Sequence, residues 1–485
     1  VISRRELEDA VDPDRALLAV LSGLIEATAI RRALSPGGGA WRAGEPLRLF
    51  LAGYVGCRNT GADVRVAELV RQLRWIFGDG ALELTLPTSD AALSEGYFPG
   101  ARQIPLPALF PALLARECPR HHGVVACEGS MFKSKFGNGL TAYTSGALGF
   151  ANAEHKLSVG YGGEAGAMDP AVERFVAAQC RHSLVLCRNE ASREVLGRLG
   201  IRTTLGTDTA WTFEPAPRAH GLEELRALGW DGRSDVLAVC PVDPFCWPVK
   251  PDLVRAATLL ATGRGREEQY RAFYFHHASP EARARLSRYL DALARAVQAF
   301  RRDSGAFVVV VGMEKLDRRP CEELAARLDP APPVVVSDRY RMHELVALLR
   351  ACTLLLSSRY HAIVTTMPAR VPSGGVTMDE RIVNLMADRG HPHLVVGVDD
   401  PDLEERALGV LRALSAERER VADELARAVP RHLELMGRMG MDFVAEVVRH
   451  HPEAARRSLP PTWEAHLPPL SPDLLRLLEG RPAPP

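Results

Sequence analysis

The chain has 485 residues, 46% hydrophobic, 25% charged and 6% aromatic, which excludes a disordered chain, a collagen-like repeat and a small disulfide scaffold. Lys+Arg and Asp+Glu each total 60, so no global field draws in a nucleic acid or an anionic membrane, and any anion site must be local. This length suits two or three domains whose cores need no metal or disulfide staple.

The basic residues are almost all arginine, with lysine only at Lys133, Lys135, Lys156, Lys250 and Lys315, a bias expected of a GC-rich bacterial genome. Nine cysteines are scattered without a CxxC pair or a Cys/His ligand spacing, which predicts a reducing, cytoplasmic setting and no structural zinc. Near the start, the apolar piece Ala16–Ile25 is too short to cross a bilayer and has Asp and Arg at its flank. An amphipathic helix is expected there, with no signal peptide and no membrane span.

Residues 1–44 read as a helical extension ending in the Gly- and Pro-rich loop SPGGGAWRAGEP. A strand is predicted at Leu47–Gly53, and after a glycine-containing turn a helix follows with Val66, Leu69, Val70 and Leu73 on one face, the opening of a βα unit. Further buried strands are expected at Val124–Cys127, around Leu157–Tyr161 and at Leu184–Cys187. The last leads into a helix over Ala191–Leu199 closed by Gly200, and IRTTLGTDTAW returns as a short strand.

Alternation restarts after the Pro-rich connector Phe213–Gly221. DVLAVCPVD reads as a strand, 267–303 as mostly helix, AFVVVVGM as the strongest strand and PCEELAARL as a helix, and the rhythm continues through VPSGGVTMDERIVNLMADRG. The expected fold class is α/β: two doubly wound, Rossmann-like domains facing across a cleft, over 45–215 and 216–400. Residues 401–485 read as charged helices and a Pro-rich tail that packs loosely or wraps the surface.

Chemistry concentrates in ACTLLLSSRYHAIVTTMPA, where a buried strand feeds into a helix whose first N–H groups and dipole favour an anion. Ser357 or Ser358 is the expected cap, Arg359 offers a bidentate fork for carboxylate or phosphate, and His361 trades a proton near neutral pH. Arg188, in LVLCRNEAS, also follows a buried strand and precedes a helix. It becomes the opposite jaw of a cleft if the two sheets' carboxyl edges meet, although an ion pair with Glu190 or Glu194 would explain it equally. Lys315 stands with Glu314 and Asp317 at another sheet edge. The adjacent pairs His121–His122, His276–His277 and His450–His451 suit structural roles better than metal ligation, and GYGGEAG and GNG lack the setting of a nucleotide-cradling loop.

Together these segments resemble the polysaccharide pyruvyl transferase family. SSRYHA is similar to that family's Ser-Arg-x-His-Ala signature, and PSGGVTMDERIVNLMADRG to the segment after it. CRNEASREVLGRLGI is similar to its Arg-Asp/Asn-Glu-x-Ser helix, and TDTAW occupies the place of its Asp-containing strand. LAGYVGCRNTGAD resembles its opening strand and Gly-Asn-x-Gly-Asp turn, with Ala62 between Gly61 and Asp63. The resemblance spans about Leu47 to Val398.

It implies a two-domain fold like the B type of glycosyltransferase, with phosphoenolpyruvate as donor substrate and no cofactor or metal. It also implies Arg359 as donor-binding arginine, His361 as catalytic histidine and Arg188 as the first domain's arginine. Glu128-Gly129-Ser130 departs from the family's glycine-rich turn and Cys57-Arg58 alters its first turn, both in the half expected to hold the acceptor.

The donor's carboxylate and phosphate call for two basic forks. Ketal formation on a saccharide diol needs one positioned acid/base, for which His361 has the right chemistry, with Glu128, Asp63 and Asp208 as candidate partners. Ser358 and Lys315 are candidate substrate contacts. Two other functions stay open on the same architecture: a nucleotide-sugar glycosyltransferase and a catalytically silent binding protein. The expected partners are a small-molecule donor and a saccharide acceptor, with no nucleic acid and no membrane segment, and the helical termini could serve an oligomer interface.

Overall fold

The computed structural model describes residues 12–35, 41–263, 268–271 and 273–480. The start of the N-terminal extension and the glycine run of its loop (1–11 and 36–40) lie outside the described residues, as do 264–267, 272 and 481–485.

The first sheet contains β1 (Leu47–Ala52), β2 (Leu82–Thr88), β3 (Ala101–Pro105), β4 (Gly123–Ala126), β5 (Leu157–Gly163), β6 (Leu184–Cys187) and β7 (Arg202–Leu205), all parallel, in the order β3-β2-β1-β4-β5-β6-β7. The chain continues with β8 (Val236–Cys240) and then an antiparallel insert of β9 (Lys250–Pro251), β10 (Gln269–Arg271) and β11 (Tyr274–Phe275). β12 (Phe307–Gly312), β13 (Val334–Val336), β14 (Leu354–Ser357), β15 (Ser373–Thr377) and β16 (Val395–Gly397) complete a second parallel sheet, ordered β13-β12-β8-β14-β15-β16.

Continuous apolar runs such as LVLC in β6, VLAVC in β8 and VVVV in β12 are buried because helices cover both sheet faces. In each sheet the strand order reverses once, beside β1 and β4 in the first and beside β8 and β14 in the second. At these switch points an open α/β sheet leaves a crevice beyond the strands' carboxyl ends. The turns carrying Gly56–Gly61, Glu128 and Ser358–His361 begin there.

β2 and β3 were not anticipated from the sequence. β3, Ala-Arg-Gln-Ile-Pro, is a half-exposed edge strand without an apolar run. The stretch 267–303 is helical only from Pro280 to Ser304, where Ser279 caps the first turn and Pro280 starts it; the insert occupies its beginning. The helix Pro13–Leu34 starts on Asp12 and buries Leu18, Leu21, Ile25 and Thr28 in the first domain.

The 33-residue helix Arg418–His450 runs from one domain to the other. At its start Arg418 Nη1 pairs with Asp235 at 2.9 Å, just before β8. Further along, Gln72 Nε2 donates to Met436 O at 3.0 Å and Phe443 packs edge-on to Phe77. The tail beyond it is held rather than loose: Trp75 Nε1 donates to Ala465 O at 2.9 Å, and Leu467 and Leu474 are buried. Among the described residues no helix is long and apolar enough to cross a membrane.

Candidate functional site at the domain seam

The two domains touch through the turn after β1 and those after β12 and β13. Thr60 N–H donates to Met313 O at 2.8 Å and Ser337 Oγ donates to Arg58 O at 2.7 Å. The helix Thr60–Phe77 approaches the second domain so closely that a Cβ on Gly61 would lie 2.3 Å from His361 Nδ1. Only glycine fits between that helix and the imidazole.

His361 lies in the first turn of a seven-residue helix, Tyr360–Thr366, after β14. Arg359 occupies the cap position itself, where no side chain caps the helix. Ser357 Oγ accepts Arg359 N–H at 2.9 Å, and Ser358 turns inward, its hydroxyl 3.0 Å from that of Tyr289. The expected serine cap is therefore replaced by a local serine turn.

His361 Nε2 sits 3.3 Å from Oδ2 of Asp208, a first-domain carboxylate in the loop after β7. Asp208 is fully buried, ion-pairs with Arg65, whose Nε lies 2.9 Å away, and accepts Arg188 Nη1 at 3.1 Å and the N–H of Ala210 at 2.9 Å. Burial alone would raise its pKa, but Arg65, His361 and Arg188 outweigh that and hold it well below the usual carboxylate range. Burial lowers the pKa of His361, opposed by Asp208 and assisted by Arg65 and Arg188. The balance falls on the side of the neutral imidazole.

Arg188 donates to Asp208, ion-pairs with Glu164 and lies over the ring of Tyr360, 4.4 Å from its centroid. Its partners are thus Asp208 and Glu164 rather than Glu190, which pairs with Arg193 at 2.9 Å. Glu164 is also 3.6 Å from Lys133 Nζ, which reaches Glu380 of the second domain at 2.8 Å. Burial, with Arg381 adding to it, lowers the Lys133 pKa to about 8.

Arg359 is enclosed on the other side. Its Nε donates to Asp317 at 2.8 Å, its Nη2 also meets Asp317, and its Nη1 lies 3.0 Å from Glu314. Both carboxylates are buried, and burial raises both pKa values against the pull of Arg359.

Asp63 is buried in the first turn of its helix with Oδ1 unpartnered. Burial raises its pKa to about 8, with the negative charges of Glu314 and Glu128 acting in the same direction. Glu128 Oε2 is likewise buried without a partner. Lys315 is exposed, and the pocket beside it is lined instead by Leu316, Asp317 and Arg359. That pocket, about 560 Å³, lies against the second domain.

The seam therefore brings together Arg188, Asp208 and His361 in one network, with Arg359 in a separate cage. Sequence reading missed Arg65 and Glu164. Arg65 lies between Val64 and Val66 in a buried helix segment, and Glu164 directly follows a fully buried strand, both unusual settings for a charge.

Two doubly wound domains meeting at their strands' carboxyl ends define a fold of the B type of glycosyltransferases. It is shared by a putative UDP-N-acetylglucosamine 2-epimerase from Listeria monocytogenes (TM-score 0.50, 12% identity, covering 80% of this chain and 95% of that one). It is also shared by TcCGT1, solved in complex with UDP (TM-score 0.50, 11% identity, 84% and 100% covered). At such identities the likeness is one of fold alone. Residues 167–380 match the polysaccharide pyruvyl transferase family, a stretch containing Arg188, Asp208, Lys315, Arg359 and His361. The match is narrower than the span read from the sequence and leaves out Asp63 and Glu128. No curated protein matches the chain.

Proposed function

We propose that the protein is a transferase that moves a pyruvyl group from phosphoenolpyruvate onto two hydroxyls of a saccharide or saccharide-containing acceptor, forming a ketal. The family match supports a transferase acting on saccharides. The observation that carries the finer reading is the contact of His361 with Asp208 across the seam, beside Arg65 and Arg188 and two residues along the chain from Arg359, whose buried carboxylate partners neutralise it at rest.

An imidazole lowered by burial becomes a proton donor when a dianion binds close by. His361 protonates the methylene carbon of the donor and regains the proton from the hydroxyl that adds to the adjacent carbon. The second hydroxyl then displaces phosphate, its proton leaving with the phosphate, so the sequence closes without an oxidant or reductant. Asp208, kept ionised by Arg65 and Arg188, orients the imidazole and stabilises its charged form.

Incubation with phosphoenolpyruvate and candidate glycans, followed by phosphate release and the mass of the glycan, tests the reading. Phosphate release coupled to a pyruvyl ketal on the glycan is expected. Glycosyl transfer from a nucleotide sugar with no use of phosphoenolpyruvate would replace it with the glycosyltransferase alternative.

A further inference from the structure

The insert β9–β11 and the loop before it play no part in the donor chemistry, yet they build one wall of the 560 Å³ pocket. Trp247, in that loop, is wedged at near right angles by three rings. These are Phe136 of the first domain (centroids 5.2 Å apart, 88°), Tyr270 of β10 (5.6 Å, 74°) and His276 (5.1 Å, 80°). The insert is itself tied to the first domain, with Arg271 Nη2 donating to Leu106 O at 2.5 Å and Tyr274 OH donating to Asp14 Oδ1 at 3.1 Å. The indole is thus immobilised, but it stays partly exposed and lines the pocket shared with Arg359.

The pocket exceeds what a three-carbon donor fills and falls in the range of about 300–1,000 Å³ that holds larger organic ligands. Its charge identifies the class. Arg283, Arg319 and Arg359 line it together with Asp243, Glu268 and Asp317. Arg283 is 3.3 Å from Glu268, Arg319 is 2.8 Å from Glu323, and Arg359 is caged by Glu314 and Asp317. Away from Arg359, which the donor reading assigns to phosphoenolpyruvate, the remaining arginines are each paired with a carboxylate, and among the described residues no unpaired positive charge is left there for a second phosphate group. Such a lining suits a neutral ring whose C–H face rests on the indole and whose hydroxyls donate to carboxylates.

The geometry points to a subsite here for one neutral sugar ring of the acceptor, stacked on Trp247, with Asp243 and Glu268 accepting its hydroxyls, beside the arginine that the donor reading assigns to phosphoenolpyruvate. It rests on that reading for the ligand of Arg359. It also moves part of the acceptor onto the second domain, whereas the sequence pointed to the first.

The test is glycan binding to the full chain without phosphoenolpyruvate: an array of neutral oligosaccharides, then calorimetry with the best-bound glycan and, in parallel, with UDP-glucose. Trp247→Ala should weaken glycan binding about tenfold or more, and Trp247→Phe should stay within about threefold of the parent. No bound glycan, glycan binding indifferent to Trp247→Ala, or loss of UDP-glucose binding instead of glycan binding would each overturn the subsite. Glycan binding without phosphate release from phosphoenolpyruvate sinks the donor reading and leaves the subsite standing. Phosphate release with an acceptor KM unchanged in Trp247→Ala does the reverse.

Discussion

Arg188 and Arg359 close the carboxyl ends of two parallel strands, β6 and β14, and each meets two buried carboxylates, but their surroundings differ. The Arg188 side chain is 3% exposed, and its partner Asp208 is held well below the usual range by three cationic or protonatable neighbours. The Arg359 side chain is 18% exposed, borders the pocket, and is paired with Glu314 and Asp317, whose pKa values burial has raised. Around Arg188 the Asp208 carboxylate resists protonation, so that arginine fixes the seam. Around Arg359 burial has raised the carboxyls, and on the proposed donor reading one of them takes up a proton as a dianion approaches, which frees the guanidinium to bind it. On the proposed donor reading, two similar sequence positions become a support and a fork.

His361, which meets Asp208 on the Arg188 side, carries the largest expected effect. His361→Gln should lower turnover by about 10²- to 10⁴-fold with donor affinity changed only a few-fold, measured by phosphate release and calorimetry on one preparation. Equal loss of both would move His361 into donor recognition.

Arg188→Ala leaves buried Glu164 with only the Lys133 ammonium, 3.6 Å away, and takes from Asp208 one of its two arginines. A loss of about 3–5 kcal/mol in denaturant unfolding is expected. Arg359→Ala should cost less stability, because its partners protonate more readily, yet weaken phosphoenolpyruvate roughly thirty-fold or more. If the two variants exchange these phenotypes, the roles of support and fork are reversed.

The smallest effect is pH dependence. A carboxyl whose pKa is already raised in the free protein rises further beside a bound dianion, so the complex holds more protons than the free protein between those two values. Donor affinity should therefore fall as pH rises through that interval, by no more than about tenfold per pH unit for each proton. Calorimetry across pH 5 to pH 9 reads it, and affinity that rises with pH would contradict proton uptake.

Much of this was legible in the sequence because it is local. Buried strands LVLC and LLLS, each followed by Arg and a helix, announce β6 and β14 by composition alone. The partners were not legible, since Arg188 reaches Glu164 and Asp208 through the sheet, and a sequence neighbour such as Glu190 is the natural guess. β3 escaped notice because an edge strand needs no apolar run, and the insert escaped because its two- and three-residue strands are set by contacts with the first domain. Ser358 shows the same limit from the other side: a serine before a helix reads as a cap, but β14 ends so close to Tyr289 that its hydroxyl is used there.

Titration calorimetry of phosphoenolpyruvate at one pH in two buffers of different ionisation enthalpy measures donor binding and proton uptake together. The structure predicts binding with a net uptake of protons in the parent, strongly weakened binding in Arg359→Ala, and no competition by UDP-glucose. Absence of binding, or binding with no proton taken up, would contradict the reading of Arg359 as a caged donor fork.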